Sequence, residues 1–192
     1  MNTHDGADRT RTNGEPDVPT LFVLVGLPGS GKTTRARELE EAHHAIRLTP
    51  DEWMIPLFNE SEADGKRDIL EGRFVAIARQ SLRAGTNTVL DFGVWSKEER
   101  SALRTIAATA GASCELVYLP IDRAEQRRRL DARAIAEPDT TFEISDAELD
   151  SFDGYFVEPQ ADELTGTTID PPPGGFATWD AWTSDRWPTS MM

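Results

Sequence analysis

The chain has one cysteine, Cys114, in 192 residues, so no internal disulfide can form. It has no apolar run near the roughly 18 residues that a membrane span requires. Its first 19 residues, MNTHDGADRTRTNGEPDVP, lack the apolar core of a secretory signal, so a cytoplasmic location is the default expectation. Basic residues nearly vanish from the C-terminal third. Residues 137–192 hold 13 acidic side chains and one basic one, Arg186, which gives −12 of the formal net charge of −14. Phosphate contacts dominate polynucleotide affinity and call for a basic face. That distribution disfavours nucleic acid as an obligatory partner and permits a cationic small substrate.

Residues 1–19 read as a polar leader without periodicity. From residue 20 the chain alternates. TLFVLVG is a buried parallel strand by its run of β-branched and aromatic residues. KTTRARELEEA (32–42) is a helix, AIRL (45–48) a second strand, and DEWMIPLF a short helix interrupted near Pro56. Residues 66–84 form an amphipathic helix with Ile69, Leu70, Phe74, Ile77 and Leu82 on one face, ended by Gly85. TNTVLDF is a third strand. SKEERSALRTIAATA follows as a helix with the Ser96/Glu99 capping box. SCELVYL is a fourth strand, Asp122 caps a helix to about residue 135, and SDAELDSFDGYF is a further capped helix.

This order predicts an α/β fold with right-handed crossovers and helices on both faces of a mostly parallel sheet. TGTTID (165–170) is a candidate fifth strand. Residues 171–192, rich in Pro, Gly and Trp, form a tail that either packs over the domain as an irregular arm or stays free of it.

Gly26-Leu27-Pro28-Gly29-Ser30-Gly31-Lys32-Thr33 fits G-x-x-x-x-G-K-[ST], between a predicted strand and a predicted helix. The glycines let successive N–H groups curl around phosphate oxygens, and the following helix aims its N-terminus at the same charge. Lys32 then reaches the β- and γ-phosphates, and the Thr33 hydroxyl coordinates Mg²⁺. Thr34 either holds the α-phosphate or is a polar residue of the first turn. No N-K-x-D guanine motif is present, which argues against a GTPase switch.

Four stretches, GLPGSGKTT, RLTPDEWMIPLF, AGTNTVLDFGVWSKEER and ELVYLPIDRAEQRRRLDAR, together resemble a family of bacterial ATP-binding P-loop kinases. That family is similar to chloramphenicol phosphotransferase, zeta toxins and polynucleotide 5′-kinase, and the likeness spans about residues 20–165. It implies the P-loop NTPase three-layer αβα sandwich of about five strands with a small helical lid, near residues 134–144. It implies ATP and Mg²⁺ as ligands and phosphoryl transfer to a hydroxyl. In this resemblance Asp51 is the general base, and Asp91 is a Walker-B-type acid that positions Mg²⁺ or the acceptor. Arg129 and Arg133 are the arginines that close over phosphate. The chemistry of a carboxylate at the end of the second strand supports the first role, although Asp51 could also cap the helix that follows.

Trp53 and Trp95 either line an acceptor pocket or belong to the core, and Arg100 either binds acceptor or pairs locally. The acceptor expected is a small hydroxylated molecule. The alternatives are a polynucleotide 5′-hydroxyl kinase, a toxin-type nucleotide-sugar kinase, or a non-catalytic nucleotide-dependent switch. Polynucleotide kinases carry a basic residue soon after the base, where this chain has Glu52, Trp53 and Met54.

Overall fold

The structure, a computed structural model, describes residues 18–60, 64–136 and 144–191. Most of the expected leader and most of the expected lid lie outside the described residues. Four strands, β1 (Thr20–Val25), β2 (Ile46–Leu48), β3 (Thr88–Leu90) and β4 (Ser113–Tyr118), form one parallel sheet in the order β2-β3-β1-β4. The helices are α1 (Lys32–His43), α2 (Pro50–Phe58), α3 (Lys66–Arg83), α4 (Lys97–Thr109), α5 (Arg123–Ala136), α6 (Asp146–Tyr155), α7 (Ala161–Leu164) and α8 (Trp179–Arg186).

Strand alternation sorts β1 between two cores. Leu21, Val23 and Val25 pack with Phe74, Val75 and Leu82 of α3 and Leu103 and Ile106 of α4. Phe22 and Leu24 pack on the other face with Ala36 and Leu39 of α1. With helices on both faces β1 is buried all round, which is why it reads as an unbroken apolar run. Ser96 and Glu99 form the expected capping box of α4. Asp122 accepts from the Glu125 N–H at the start of α5 (3.0 Å).

Three expectations need correction. The fifth strand does not form among the described residues. Gly166 turns the chain at φ 72°. The N–H groups of Thr165 and Thr167 bond back to the carbonyls of Ala161 and Asp162, so local turns take the donors that a ladder would need. Pro56 does not interrupt α2, which continues through it to Phe58 and stops where Asn59 adopts the left-handed conformation. Ile69 leaves the apolar face of α3 and is 48% exposed.

The C-terminal segment is helical and packed. Thr178 caps α8 by accepting from the Ala181 N–H (3.1 Å). Trp179, Trp182 and Trp187 stack edge to face at 5.7 and 5.9 Å. Trp187 is fully buried in the core shared with α3 and α4. Truncating a tryptophan in such a position costs about 3–5 kcal/mol.

Candidate active site

The turn between β1 and α1 is held by its sequence. A Cβ on Gly26 would lie 2.7 Å from the Leu119 carbonyl oxygen and 2.7 Å from Ser30 Oγ, so only glycine fits there. Gly31 adopts φ 96° as the residue before α1 and turns the chain into the helix N-terminus. Gln126 of α5 is buried and donates to the Pro28 carbonyl (3.1 Å), fixing the outer side of the loop. Ser30 Oγ is buried and has no hydrogen-bond partner among the described residues. A narrow cradle with an orphaned hydroxyl inside suits an anionic oxygen.

Lys32 Nζ donates to the carbonyls of Gly26 (2.9 Å) and Leu27 (3.0 Å). Burial pulls its ammonium down to about 8, Asp91 and Asp51 oppose that pull, and Arg67 and Arg133 add to it. Two carboxylates and two guanidiniums therefore lie close enough to act on one ammonium. Thr33 and Thr34 follow in the first turn of α1, Thr33 half-buried and Thr34 exposed.

The two carboxylates differ in setting. Asp91, just past β3, is buried and accepts a hydrogen bond from the Thr49 hydroxyl at 3.3 Å, with the Thr33 hydroxyl close by. Burial raises its pKa, while Lys32, those hydroxyls and Arg47 hold the rise back. Asp51 sits in the first turn of α2 with its side chain 61% exposed. Its Oδ1 accepts from Arg67 of α3 at 2.8 Å. Glu52 points elsewhere, onto Arg47 (2.9 and 3.0 Å).

The arginines of α5 divide by face. Arg129 bonds Glu125 (2.6 Å) and lies over the loop, with Nη1 3.3 Å from the Gly29 carbonyl. Arg133 acts on Lys32 as noted. Arg123 turns to Asp150 (2.7 Å) and Asp153 (3.2 Å) of α6, and Arg127 to Asp131 and the Ile144 carbonyl. Arg128 pairs with Glu125 on the outer surface.

Arg100 is tied into the scaffold. It is fully buried, forked onto Glu163 at 2.7 and 3.0 Å, and also donates to the carbonyls of Trp95 and Val157. Its work is to bind the α7 segment to α4. Trp95 belongs to the same cluster: its ring lies 5.0 Å from Phe152 and over Gly93. Trp53 stays beside Asp51, 46% exposed, with its ring edge-on to Phe74 (5.4 Å). Cys114 has its thiol pushed up to about 12 by burial and is unreactive packing.

Sequence reasoning missed Arg67, Glu71 and Thr49. Arg67 and Glu71 were visible as an i,i+4 pair in KRDILEG, but nothing local ties that pair to Asp51.

This loop and sheet order, with Asp91 just past β3, define a P-loop kinase fold. The chain matches the AAA domain family over residues 21–159 and belongs to it. No curated protein matches it. Among solved structures, a chain of the Pnkp1/Rnl/Hen1 RNA repair complex is 20% identical, with 84% of this chain and 50% of that chain covered and a TM-score of 0.62. This chain thus spans half the length of that protein. Kti12 of Chaetomium thermophilum, in complex with ADP-AlF3, is 19% identical over 88% of this chain and 95% of that one, at a TM-score of 0.59. A gluconokinase from Sinorhizobium meliloti 1021 is 15% identical over 91% and 90%, at 0.54. At these identities the likeness speaks for the fold.

Proposed function

We propose that the chain is an ATP-dependent phosphotransferase that moves the γ-phosphate of ATP to a hydroxyl of a small molecule, with Asp51 as general base. The observation that carries this reading is the pair of unlike carboxylates around Lys32. Asp91 is buried, bonded by Thr49 and flanked by Arg47 at 3.8 Å, whereas Asp51 is open to solvent in the first turn of α2. One is suited to ordering a cation and the other to receiving a proton.

The loop of residues 26–34 would hold the triphosphate, with Lys32 leaving the Gly26 and Leu27 carbonyls for phosphate oxygens. Thr33 and Asp91 fit a magnesium site, in which the bound ion would neutralise charge on the phosphate oxygens. Asp51 orients the acceptor hydroxyl and takes its proton as the new O–P bond forms and ADP leaves. Arg129 and Arg133 stabilise the charge that develops. Trp53 beside Asp51, with Leu57 and Phe58 exposed on the same helix, offers an apolar wall for the acceptor.

The test is transfer from labelled ATP to a panel of hydroxylated metabolites and antibiotics. Asp51→Asn should lower transfer about 10²–10⁴-fold and leave Mg·ATP affinity unchanged. Full transfer by that variant would sink the mechanism.

A second reading draws support from Arg67. The basic neighbour of the base that is missing after Asp51 in the sequence is supplied in space by α3. That would suit an acceptor carrying its own phosphate, such as a 5′-hydroxyl oligonucleotide. Label appearing on such an oligonucleotide, and on none of the small molecules, would favour it.

A further inference from the structure

The C-terminal segment reaches Asp51 through three side chains. The Trp187 indole Nε1 donates to Glu71 Oε2 at 3.4 Å. The other Glu71 oxygen accepts from Arg67 Nε at 3.2 Å. Arg67 Nη1 then donates to Asp51 at 2.8 Å. Trp187 and Glu71 are both buried. Arg186 braces the row, with Nε on Glu99 (2.8 Å), Nη1 on Asp68 (2.7 Å) and Nη2 3.8 Å from Glu71. The two segments touch directly as well. A Cβ on Gly72 would come within 2.6 Å of the Thr189 hydroxyl, and that hydroxyl donates to the Ile69 carbonyl at 2.6 Å.

An exposed carboxylate paired with a long, flexible arginine is poorly oriented by that pair alone. Anchoring the guanidinium at Nε changes this, because the planar fork then has its remaining donors in fixed directions. Glu71 provides the anchor, and both of its oxygens are engaged by groups from different elements.

We propose that Glu71 is a positioning residue for Asp51, and that the segment from Trp179 to Ser190 thereby forms part of the acceptor half of the site. The proposal rests on the reading of Asp51 as the base. Glu71 does not touch the acceptor. It sets the Arg67 guanidinium, which holds the Asp51 carboxylate in one orientation until a hydroxyl arrives. The charges facing Glu71 are Arg67 and Asp68 of α3 and Arg186 of α8, with Glu99 of α4 behind Arg186. Burial pushes the Glu71 carboxyl up to about 7, and Arg67 and Arg186 pull against that rise. Above that pH Glu71 is anionic and grips Arg67. Below it Glu71 is neutral and the grip loosens.

The Trp187 indole reports on this row directly. In ¹H–¹⁵N spectra of the full ligand-free chain, titrated from about pH 5 to about pH 9, its signal is identified by its loss in Trp187→Phe. It should shift with a midpoint near 7. The shift should be absent in Glu71→Gln. In Asp51→Asn the midpoint should move to lower pH, since Arg67 relieved of Asp51 acts more fully on Glu71. An unmoved midpoint in Asp51→Asn overturns the proposal.

Turnover of Mg·ATP with water as acceptor gives the second readout. Glu71→Gln should lower kcat about tenfold at unchanged KM for ATP and remove the acid limb of the pH profile. An unchanged kcat and profile would also overturn it. The two readings fail separately. A moved midpoint with full transfer by Asp51→Asn breaks the base assignment alone, and an unmoved midpoint with lost transfer breaks the positioning row alone.

Discussion

The phosphate cradle is one unbroken stretch, residues 26–34, while the proposed acceptor side is gathered from α2, α3 and the C-terminal segment. In the cradle the turns rest on closely spaced glycines, as at Gly31, whose φ of 96° leads the chain into α1, while Leu119 and Gln126 close on the loop from outside it. On the acceptor side Asp51 takes its partner from 16 residues away, and Glu71 meets Trp187 across 116 residues. The cradle's own residues are contiguous, and only its outer walls, Leu119 and Gln126, come from a distance. An acceptor side assembled at a distance depends on the packing of the whole domain, so stability and specificity are coupled there.

The sharpest way to break that comparison uses Arg100, for which the sequence left acceptor binding and local pairing open and which the structure buries against Glu163. Arg100→Ala strands Glu163, whose side chain is 1% exposed, without its cation. Such a change costs about 3–5 kcal/mol of folding stability, read by denaturant unfolding. Nucleotide affinity of the folded fraction should be unchanged. A raised KM for acceptor with normal stability would return Arg100 to the site.

Lys32→Met tests the cradle. Transfer should fall about 10²–10³-fold. The ligand-free protein should become more stable at neutral pH, because burial lowers the Lys32 ammonium to about 8 from 10.5. A depressed pKa of this kind means that the charged form opposes folding. That opposition is full below about 8 and fades as pH rises to 10.5, so the melting temperatures of wild type and variant should converge on the alkaline side.

The turn from β1 into α1 was legible because the glycines that shape it lie within a short contiguous motif. The α/β alternation was legible because β1 is apolar on both faces and the caps of α4 and α6 lie within four residues of sequence. The fifth strand was misread because three threonines look like strand by propensity, while Gly166 and the carbonyls of Ala161 and Asp162 decide the backbone. Arg67 was invisible as a partner of Asp51 because no periodicity links one helix to another. Trp187 was read with a Pro- and Gly-rich tail, and composition does not show that α3 leaves a gap at Gly72 for that tail to enter.

Glu71 offers a test through stability. Its folded carboxyl sits at about 7 against an ordinary 4.5, so the native protein holds a proton that the unfolded chain has already released. The sign follows: this contribution is full below about 4.5 and is lost as pH rises through about 7, a swing of about 3 kcal/mol at most. Glu71→Gln should flatten that slope in urea melts taken from about pH 5 to about pH 8. An unaltered slope would mean that Glu71 is ionised throughout and that α8 contributes no charge-dependent packing.

The arginines of α5 give the smallest and most discriminating pair. Arg129 lies over Gly29 and Ser30, so Arg129→Ala should lower transfer about tenfold, with nearly unchanged stability. Arg123 faces away, toward Asp150 and Asp153 on an exposed surface. Ion pairs in that setting contribute about 0–1 kcal/mol. Arg123→Ala should therefore leave transfer at wild-type level and shift the urea midpoint barely, more at low salt than at high. The two residues share a helix, a charge and a side-chain type, and differ in the face from which they project. Equal losses of transfer in both variants would show that α5 acts as a diffuse basic surface, and the division between a cradle-facing and an α6-facing side would fall.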